Sequence, residues 1–214
     1  MTKVFSMRIR NVKGALKIIE MSNYIIKNPG QYKGKFNTLF NNDNPIHLEI
    51  GTGKGNFIIT KAKTNPNVNF IGIEMFDSIM VRTIQKLEGE EIPNLKLIKM
   101  DATNIENIFD KEIDTLYLNF SDPWPKNRHE HRRLTSERFL KRYDSIFKDK
   151  NIIIQKTDNR KLFEFSLKTF TDYGYKIEEI SLNLHKDDIL NVQTEYEERF
   201  SAEGFPIYMV KVVK

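Results

Sequence analysis

Apolar residues recur at two alternating spacings along this chain from Ile46 onward. Short apolar runs of strand type alternate with stretches whose apolar positions repeat every three to four residues. The predicted strands are Ile46–Ile50, Asn69–Glu74, Leu95–Met100, Thr115–Phe120, Asn151–Ile154, Lys176–Leu184 and Tyr208–Val213. Strands that alternate with helices indicate βαβ units and a mainly parallel sheet, so the fold class is α/β.

Helices are predicted before the first strand and between most of the strands. They cover residues 13–27, about 56–64, about 76–87, 135–147 and 160–174. The last two strands have no full helix between them, only the irregular segment Lys186–Phe205. They therefore predict an antiparallel pair at the sheet edge. A single domain over residues 1–214 accounts for this pattern, with residues 1–44 as an N-terminal basic arm and helix and 45–214 as the core.

Composition narrows the class of protein further. The 214 residues are 39% hydrophobic and 29% charged, as in a globular protein. No apolar run has the ~20 residues that span a bilayer, and no signal-peptide pattern opens the chain. We therefore expect a cytoplasmic protein with no membrane partner. Cysteine is absent, which excludes disulfides and thiol nucleophiles.

The net charge is +5 and the pI about 9.2. Charge of this sign favours a polyanionic partner, although lysine-rich solvated surfaces would give the same total. Part of it lies in a small basic arm, Arg8–Asn11 with Lys13.

Acidic residues stand at the ends of three successive predicted strands. Glu49 precedes the glycine-rich turn 51–55, Glu74 ends the second strand and Asp101 follows the third. Ligands of open parallel sheets bind at these strand ends, where Glu74 can accept both hydrogens of a ribose diol. The dinucleotide fingerprint is broken at Asn56, and the carboxylates would repel a pyrophosphate. A nucleoside that carries positive charge, S-adenosylmethionine, fits better.

Asp122 follows the fourth strand inside Ser-Asp-Pro-Trp-Pro-Lys, where the transferred group should lie. Pro123 and Pro125 restrict the loop, so Asp122 and Trp124 are held rigidly. Trp124 either stacks on a base or packs in the core. The loop also resembles, imperfectly, the Asp-Pro-Pro-aromatic motif of amino methyltransferases, because Trp124 separates the two prolines.

A basic cluster follows directly, offset by one carboxylate. It consists of Lys126, Arg128, His129, Glu130, His131, Arg132 and Arg133. A solvated loop would explain it, but its position beside Asp122 favours contact with nucleic-acid phosphates. The two histidines have no third ligand nearby, so no metal site is predicted.

Two downstream segments are further candidates. Asp158 ends the fifth strand and either caps the next helix or faces the same cleft as Asp122. Thr194–Glu197 lies in the long segment before the last strand, and long loops of compact domains are often functional.

Together these motifs resemble the bacterial tRNA (guanine-N7-)-methyltransferases, which modify guanosine 46 in the variable loop. The resemblance runs from the basic arm to the last strand, and Asp-Pro-Trp-Pro-Lys is its most specific part. It implies a Rossmann-like class I methyltransferase fold and a catalytic role for Asp122. It implies S-adenosylmethionine contacts at Glu49, Gly51, Gly53, Glu74, Asp101, Ala102 and Asp122. It implies substrate contacts at Lys126, Asp158, Thr194, Glu195, Tyr196 and Glu197, and RNA contacts at Arg128–Arg133.

The chemistry agrees with that resemblance. Guanine N7 has an in-plane lone pair and no hydrogen, so methylation needs alignment more than a strong base. A nearby carboxylate can stabilise charge that builds on the ring. The alternatives are an amino methyltransferase, a tRNA-binding module without catalysis and a nucleotide-dependent oxidoreductase. The sequence leaves open whether the protein is a monomer or a homodimer.

Overall fold

The computed structural model describes residues 12–214. The basic arm Arg8–Asn11 lies outside this range. The strands are β1 Ile46–Ile50, β2 Asn69–Glu74, β3 Leu95–Lys99, β4 Ile113–Asn119, β5 Phe147–Thr157, β6 Lys176–Ser181 and β7 Tyr208–Val213. The helices are α1 Ala15–Met21, α2 Asn56–Thr64, α3 Asp77–Lys86, α4 Glu137–Tyr143, α5 Arg160–Asp172 and α6 Glu195–Ala202.

The strands form one seven-stranded sheet in the order β3-β2-β1-β4-β5-β7-β6. The first five are parallel, whereas β7 pairs antiparallel with both β5 and β6. The predicted antiparallel edge is therefore confirmed, and β7 lies between β5 and the edge strand β6. Strand order reverses between β1 and β4. In open parallel sheets, ligands bind beside such a reversal, at the carboxyl ends of the strands.

Helices cover both faces of the sheet, so its central strands are buried on both sides. Every residue of β2 is buried. Phe70 packs with α2 and α3 in one apolar cluster, whereas Ile71 and Ile73 belong to the cluster on the opposite face. Two-sided burial explains why these strands read as continuous apolar runs.

The N-terminal helix is shorter than the predicted 13–27. It ends at Met21, and the chain then follows the outer edge of β3, where Leu97 N donates to Tyr24 O at 2.8 Å and Ile26 N donates to Leu97 O at 2.9 Å. Ile26 becomes buried in this arrangement. Pairing with an otherwise free strand edge satisfies the backbone groups that further helix would have satisfied locally.

Other boundaries also differ from the sequence prediction. Helix α4 stops at Tyr143, and Phe147 already begins β5, which is longer than the predicted Asn151–Ile154. The segment predicted to be irregular contains α6. Thr194 caps this helix and its third residue, Glu197, completes a capping box, a local signal that the prediction overlooked.

Candidate functional site

The carboxyl ends of four strands surround a cavity of about 630 Å³. Gly51 follows β1, Glu74 ends β2, Asp101 and Ala102 follow β3, and Asp122 follows β4; all five line the cavity. Residues more than 70 positions apart in the chain are thus brought to one site by the parallel sheet.

The glycine turn at the start of α2 is shaped by its neighbours. Gly51 N donates to Ile73 O at 2.8 Å, which ties the turn to β2. Gly55 has a φ of 87°, and a Cβ there would lie 2.5 Å from the Thr83 side chain. Glycine is therefore required at position 55 because α3 approaches the turn, while Gly51 borders the open cavity.

Glu74 is held in place by backbone donors. Its Oε1 accepts from Met75 N at 2.9 Å and Phe76 N at 3.0 Å, and its Oε2 accepts from Gly53 N at 3.2 Å. Burial raises the pKa of this carboxyl, these donors oppose that rise, and Asp122 adds to it. Gly53 thus acts here by orienting Glu74.

Two exposed carboxylates complete the acidic side of the cavity. Asp101 accepts a hydrogen bond from Thr103 N at 2.8 Å and so caps the short helical turn after it. Asp122 lies in a loop between Phe120 and Trp124, whose φ values are 51° and 42°. Left-handed conformations at two large side chains mark a strained loop, a feature that clusters at functional sites.

Glu49 does not line the cavity but lies behind it. Its Oε1 accepts from Asn119 Nδ2 at 2.8 Å, and Asn119 does line the cavity. Burial raises the pKa of Glu49 to about 8, against the lowering effects of the Asn119 hydrogen bond and of Lys156. Asn119 is a site residue that the sequence analysis missed; a polar side chain near the end of an apolar strand was the available signal.

Trp124 lies at the cavity wall and not in the core, so core packing was the wrong alternative, whereas stacking on a base stays a prediction. The Arg132 guanidinium lies 4.9 Å from the centre of its ring, and the His129 ring meets it edge-on at 5.9 Å. His131 and Arg132 line the cavity as well, together with Arg138 of α4, which the sequence analysis missed. Lys126, Arg128 and Glu130 are exposed beside it.

Arg133 departs from the predicted RNA contact. Only 8% of this residue is exposed, and its guanidinium donates to Pro123 O and Trp124 O. The predicted RNA contact is not met by this placement, because the cation faces inward onto the protein backbone.

Of the remaining predicted substrate residues, two come together. Tyr196 Oη donates to Asp158 Oδ2 at 3.3 Å, and the Tyr196 ring packs 5.1 Å from Phe120, which lines the cavity. Thr194 caps α6, and Glu195 forms an ion pair with Lys86. None of these α6 residues lines the cavity itself.

Glu197 is fully buried, so the prediction of a direct substrate contact is not met by its placement. Its Oε2 accepts from Lys156 Nζ at 2.5 Å, and its Oε1 accepts from Asn191 Nδ2. The carboxylate is consumed by this internal network and attaches α6 to β5. In the sequence, Lys156 lies outside the predicted strand Asn151–Ile154, so no local pattern indicated the buried pair.

With this geometry established, comparison with known proteins identifies the family. Residues 43–210 match a family model described as "Putative methyltransferase". A tRNA (guanine-N(7)-)-methyltransferase from Bacillus velezensis is 51% identical over 96% of this chain and 96% of its own length. The chain belongs to the tRNA (guanine-N(7)-)-methyltransferase family.

Further members of the tRNA (guanine-N(7)-)-methyltransferase family agree. The Bacillus subtilis protein of that name is 51% identical over 91% of this chain and 92% of its own. The Streptococcus gordonii protein is 49% identical over 97% of this chain and 99% of its own. The family resemblance drawn from the motifs is therefore confirmed.

Solved structures show the same fold at low identity. An antibiotic-related methyltransferase matches with a TM-score of 0.67 and 15% identity, covering 85% of this chain and 93% of its own. A SAM-dependent methyltransferase from Aquifex aeolicus matches with a TM-score of 0.54 and 13% identity, covering 93% and 97%. The predicted Rossmann-like class I methyltransferase fold is confirmed. Across residues 12–214, no helix is long and apolar enough to cross a membrane.

Proposed function

We propose that this protein transfers a methyl group from S-adenosylmethionine to N7 of guanine 46 in the variable loop of tRNA. The observation that carries the proposal is the division of charge around one cavity. Glu74, Asp101 and Asp122 line the cavity from the ends of the parallel strands, whereas Arg132 and Arg138 line it from the segments that follow β4. An acidic wall suits a cationic cofactor and a basic rim suits a polyanionic substrate.

The residues present fit S-adenosylmethionine. Asn119 Oδ1 is a buried acceptor at the cavity without a hydrogen-bond partner among the described residues, and it suits the ammonium group of the cofactor. Glu49 lies behind Asn119 and orients its side chain by accepting from Nδ2. Glu74, oriented by its three backbone donors, offers oxygens to the ribose diol, and Asp101 stands next to the base position. Bound there, the cofactor supplies an electrophilic methyl group.

Asp122 is the proposed catalytic residue. It has no hydrogen-bond partner within residues 12–214, and it projects from a stiff loop beside the cavity. An unpaired carboxylate can accept from the N1–H and amino group of guanine, and it stabilises positive charge on the base. Adenine would present the wrong donor pattern. Asp158, half-buried beside Tyr196, is the proposed second acceptor.

The exposed part of the basic cluster is proposed to hold the tRNA backbone. Lys126, Arg128, His131 and Arg132 are exposed and adjoin Asp122. Phosphate contacts of this kind orient the substrate without reading its sequence.

We place residues 1–214 in one methyltransferase domain with an N-terminal arm. We place the protein in the cytoplasm, together with the tRNA that its relatives are named for.

One experiment tests the proposal. The protein is incubated with methyl-labelled S-adenosylmethionine and an unmodified tRNA transcript, and the labelled nucleoside is mapped. We expect N7-methylguanosine at position 46, seen as chain cleavage there after borohydride and aniline treatment. Label in N6-methyladenine would overturn it in favour of an amino methyltransferase. No transfer, together with no binding of S-adenosylmethionine by calorimetry, would overturn it in favour of a tRNA-binding module.

The Asp122→Ala variant tests the catalytic assignment. Because Asp122 is exposed, the folded protein should keep its melting temperature to within about 2 °C. Loss of one charge-stabilising group should lower the transfer rate by about 10²-fold or more. Asp149→Ala, an exposed aspartate at the far end of β5, is the matched control. A near-normal rate in Asp122→Ala would remove Asp122 from the catalytic role.

A further inference from the structure

Arg133 is a buried cation inside a cluster that otherwise faces solvent. Its Nε donates to Pro123 O at 3.0 Å and its Nη2 donates to Trp124 O at 3.1 Å. Its guanidinium lies 4.3 Å from the centre of the Phe165 ring of α5. One planar fork thus binds two consecutive carbonyls in front and an aromatic face behind, a combination specific to arginine.

The loop that Arg133 binds has little else to hold it. Within residues 12–214, the only hydrogen bonds made by loop 121–125 are those two from Arg133. Pro123 and Pro125 have no backbone N–H to donate. The loop also contains Trp124 in a left-handed conformation, which surrounding contacts must stabilise.

The neighbouring cation points the other way. Arg132 is exposed, lines the cavity and lies over the Trp124 ring, whereas Arg133 binds the backbone of the same loop from inside. The adjacent arginines therefore act on opposite sides of the loop that carries Asp122.

We propose that Arg133 is a positioning residue that sets the placement of Asp122 and Trp124 at the cavity. It acts by fixing the carbonyls of Pro123 and Trp124 against α5, and it contacts neither substrate nor cofactor. Its kinetic consequence rests on the proposed methyl transfer, whereas its effect on the loop does not.

Trp124 is the only tryptophan in the protein and serves as a built-in probe of that loop. We expect Arg133→Lys to fold, because a buried cation is kept, but to lose the paired hydrogen bonds to the Pro123 and Trp124 carbonyls. Its Trp124 emission should shift to longer wavelength and acrylamide should quench it more strongly. Its kcat should fall by about 10²-fold, the scale of an ångström-sized misplacement, with little change in the KM for tRNA.

Two further variants separate positioning from RNA contact. Arg128→Ala, which removes an exposed cation, should raise the KM for tRNA and leave Trp124 emission unchanged. Arg160→Lys, an exposed arginine paired with Glu164, should change none of these quantities. Wild-type emission and kcat in Arg133→Lys would overturn the proposal, as would a rise in tRNA KM alone.

If Arg133→Lys does not fold, Phe165→Leu keeps the arginine and removes the ring behind it. That variant should shift Trp124 emission in the same direction, and unchanged emission would overturn the proposal. Should the wild-type protein methylate no tRNA, the fluorescence comparison still decides the role of Arg133, so the two proposals fail separately.

Discussion

The Lys156–Glu197 pair provides a quantitative test of how α6 is attached to the sheet. The side chains are 4% and 0% exposed, so neither charge is solvated. Lys156 Nζ also donates to Asn191 Oδ1 at 3.0 Å and to Val192 O at 2.8 Å. Glu197→Gln removes one charge, keeps nearly the same shape and preserves the capping box, which accepts Gln at that position.

The cost follows from the unpaired charge that remains. Removing one partner of a buried pair typically destabilises a protein by about 3–5 kcal/mol. Because Lys156 keeps two other acceptors, we expect a loss of about 3 kcal/mol, at the lower end of that range. Burial lowers the pKa of Lys156 and Glu197 raises it again. Without Glu197, the pKa of Lys156 in the folded protein falls further. Between that lowered pKa and the ordinary lysine pKa of ~10, the unfolded chain therefore binds more protons than the folded one. The deficit of the variant should therefore shrink as pH rises from neutral toward that value.

Urea unfolding followed by circular dichroism measures both effects. The double variant Lys156→Met/Glu197→Gln leaves no buried charge, and we expect it to be more stable than Glu197→Gln alone. The single Lys156→Met variant completes the double-mutant cycle. A loss below about 1 kcal/mol in Glu197→Gln, the median range of exposed pairs, would refute the reasoning. A double variant whose loss equals the sum of the two single losses would refute it as well.

Two further predictions concern the sheet. Glu49 is ionised in the unfolded chain above its ordinary pKa of 4.5 but stays protonated in the folded one up to about 8, so its contribution to stability falls as pH rises through that window. Glu49→Gln, which can still accept from Asn119, should therefore gain stability relative to wild type between pH 5 and 8; parallel pH dependences in urea unfolding would contradict this. Gly72→Ala places a Cβ 2.5 Å from Thr52 Cγ2 and 3.0 Å from Leu97 Cδ2 inside β2, and such overpacking should cost about 1–3 kcal/mol in the same assay. Equal stability would show that the neighbours yield freely.

Local patterns carried most of the architecture. Two-sided burial makes the central strands continuous apolar runs, and each helix between them has one apolar face, so the βαβ order was visible in the sequence. The acidic strand ends could be assigned to one site because parallel strands end at the same edge. Glu74, Asp101 and Asp122 do line one cavity.

Errors arose where a segment's partner is distant in sequence. Residues 22–26 look helical, but the free edge of β3 about 70 positions later takes their hydrogen bonds. Glu197 looked like a substrate contact until folding placed Lys156 against it. The capping box of α6 is a local signal, so this helix could have been predicted from the sequence.

The sequence by itself determined the fold class, the family and the acidic residues of the site, because these depend on periodicity and on motifs of adjacent residues. Only the tertiary structure decided how the basic cluster divides. Arg132 and Arg133 are neighbours with the same chemistry, yet one lines the cavity and the other is buried. That difference comes from Phe165 and from the Pro123 and Trp124 carbonyls. Which side of a turn meets packed protein and which meets solvent depends on long-range packing, which no local pattern records.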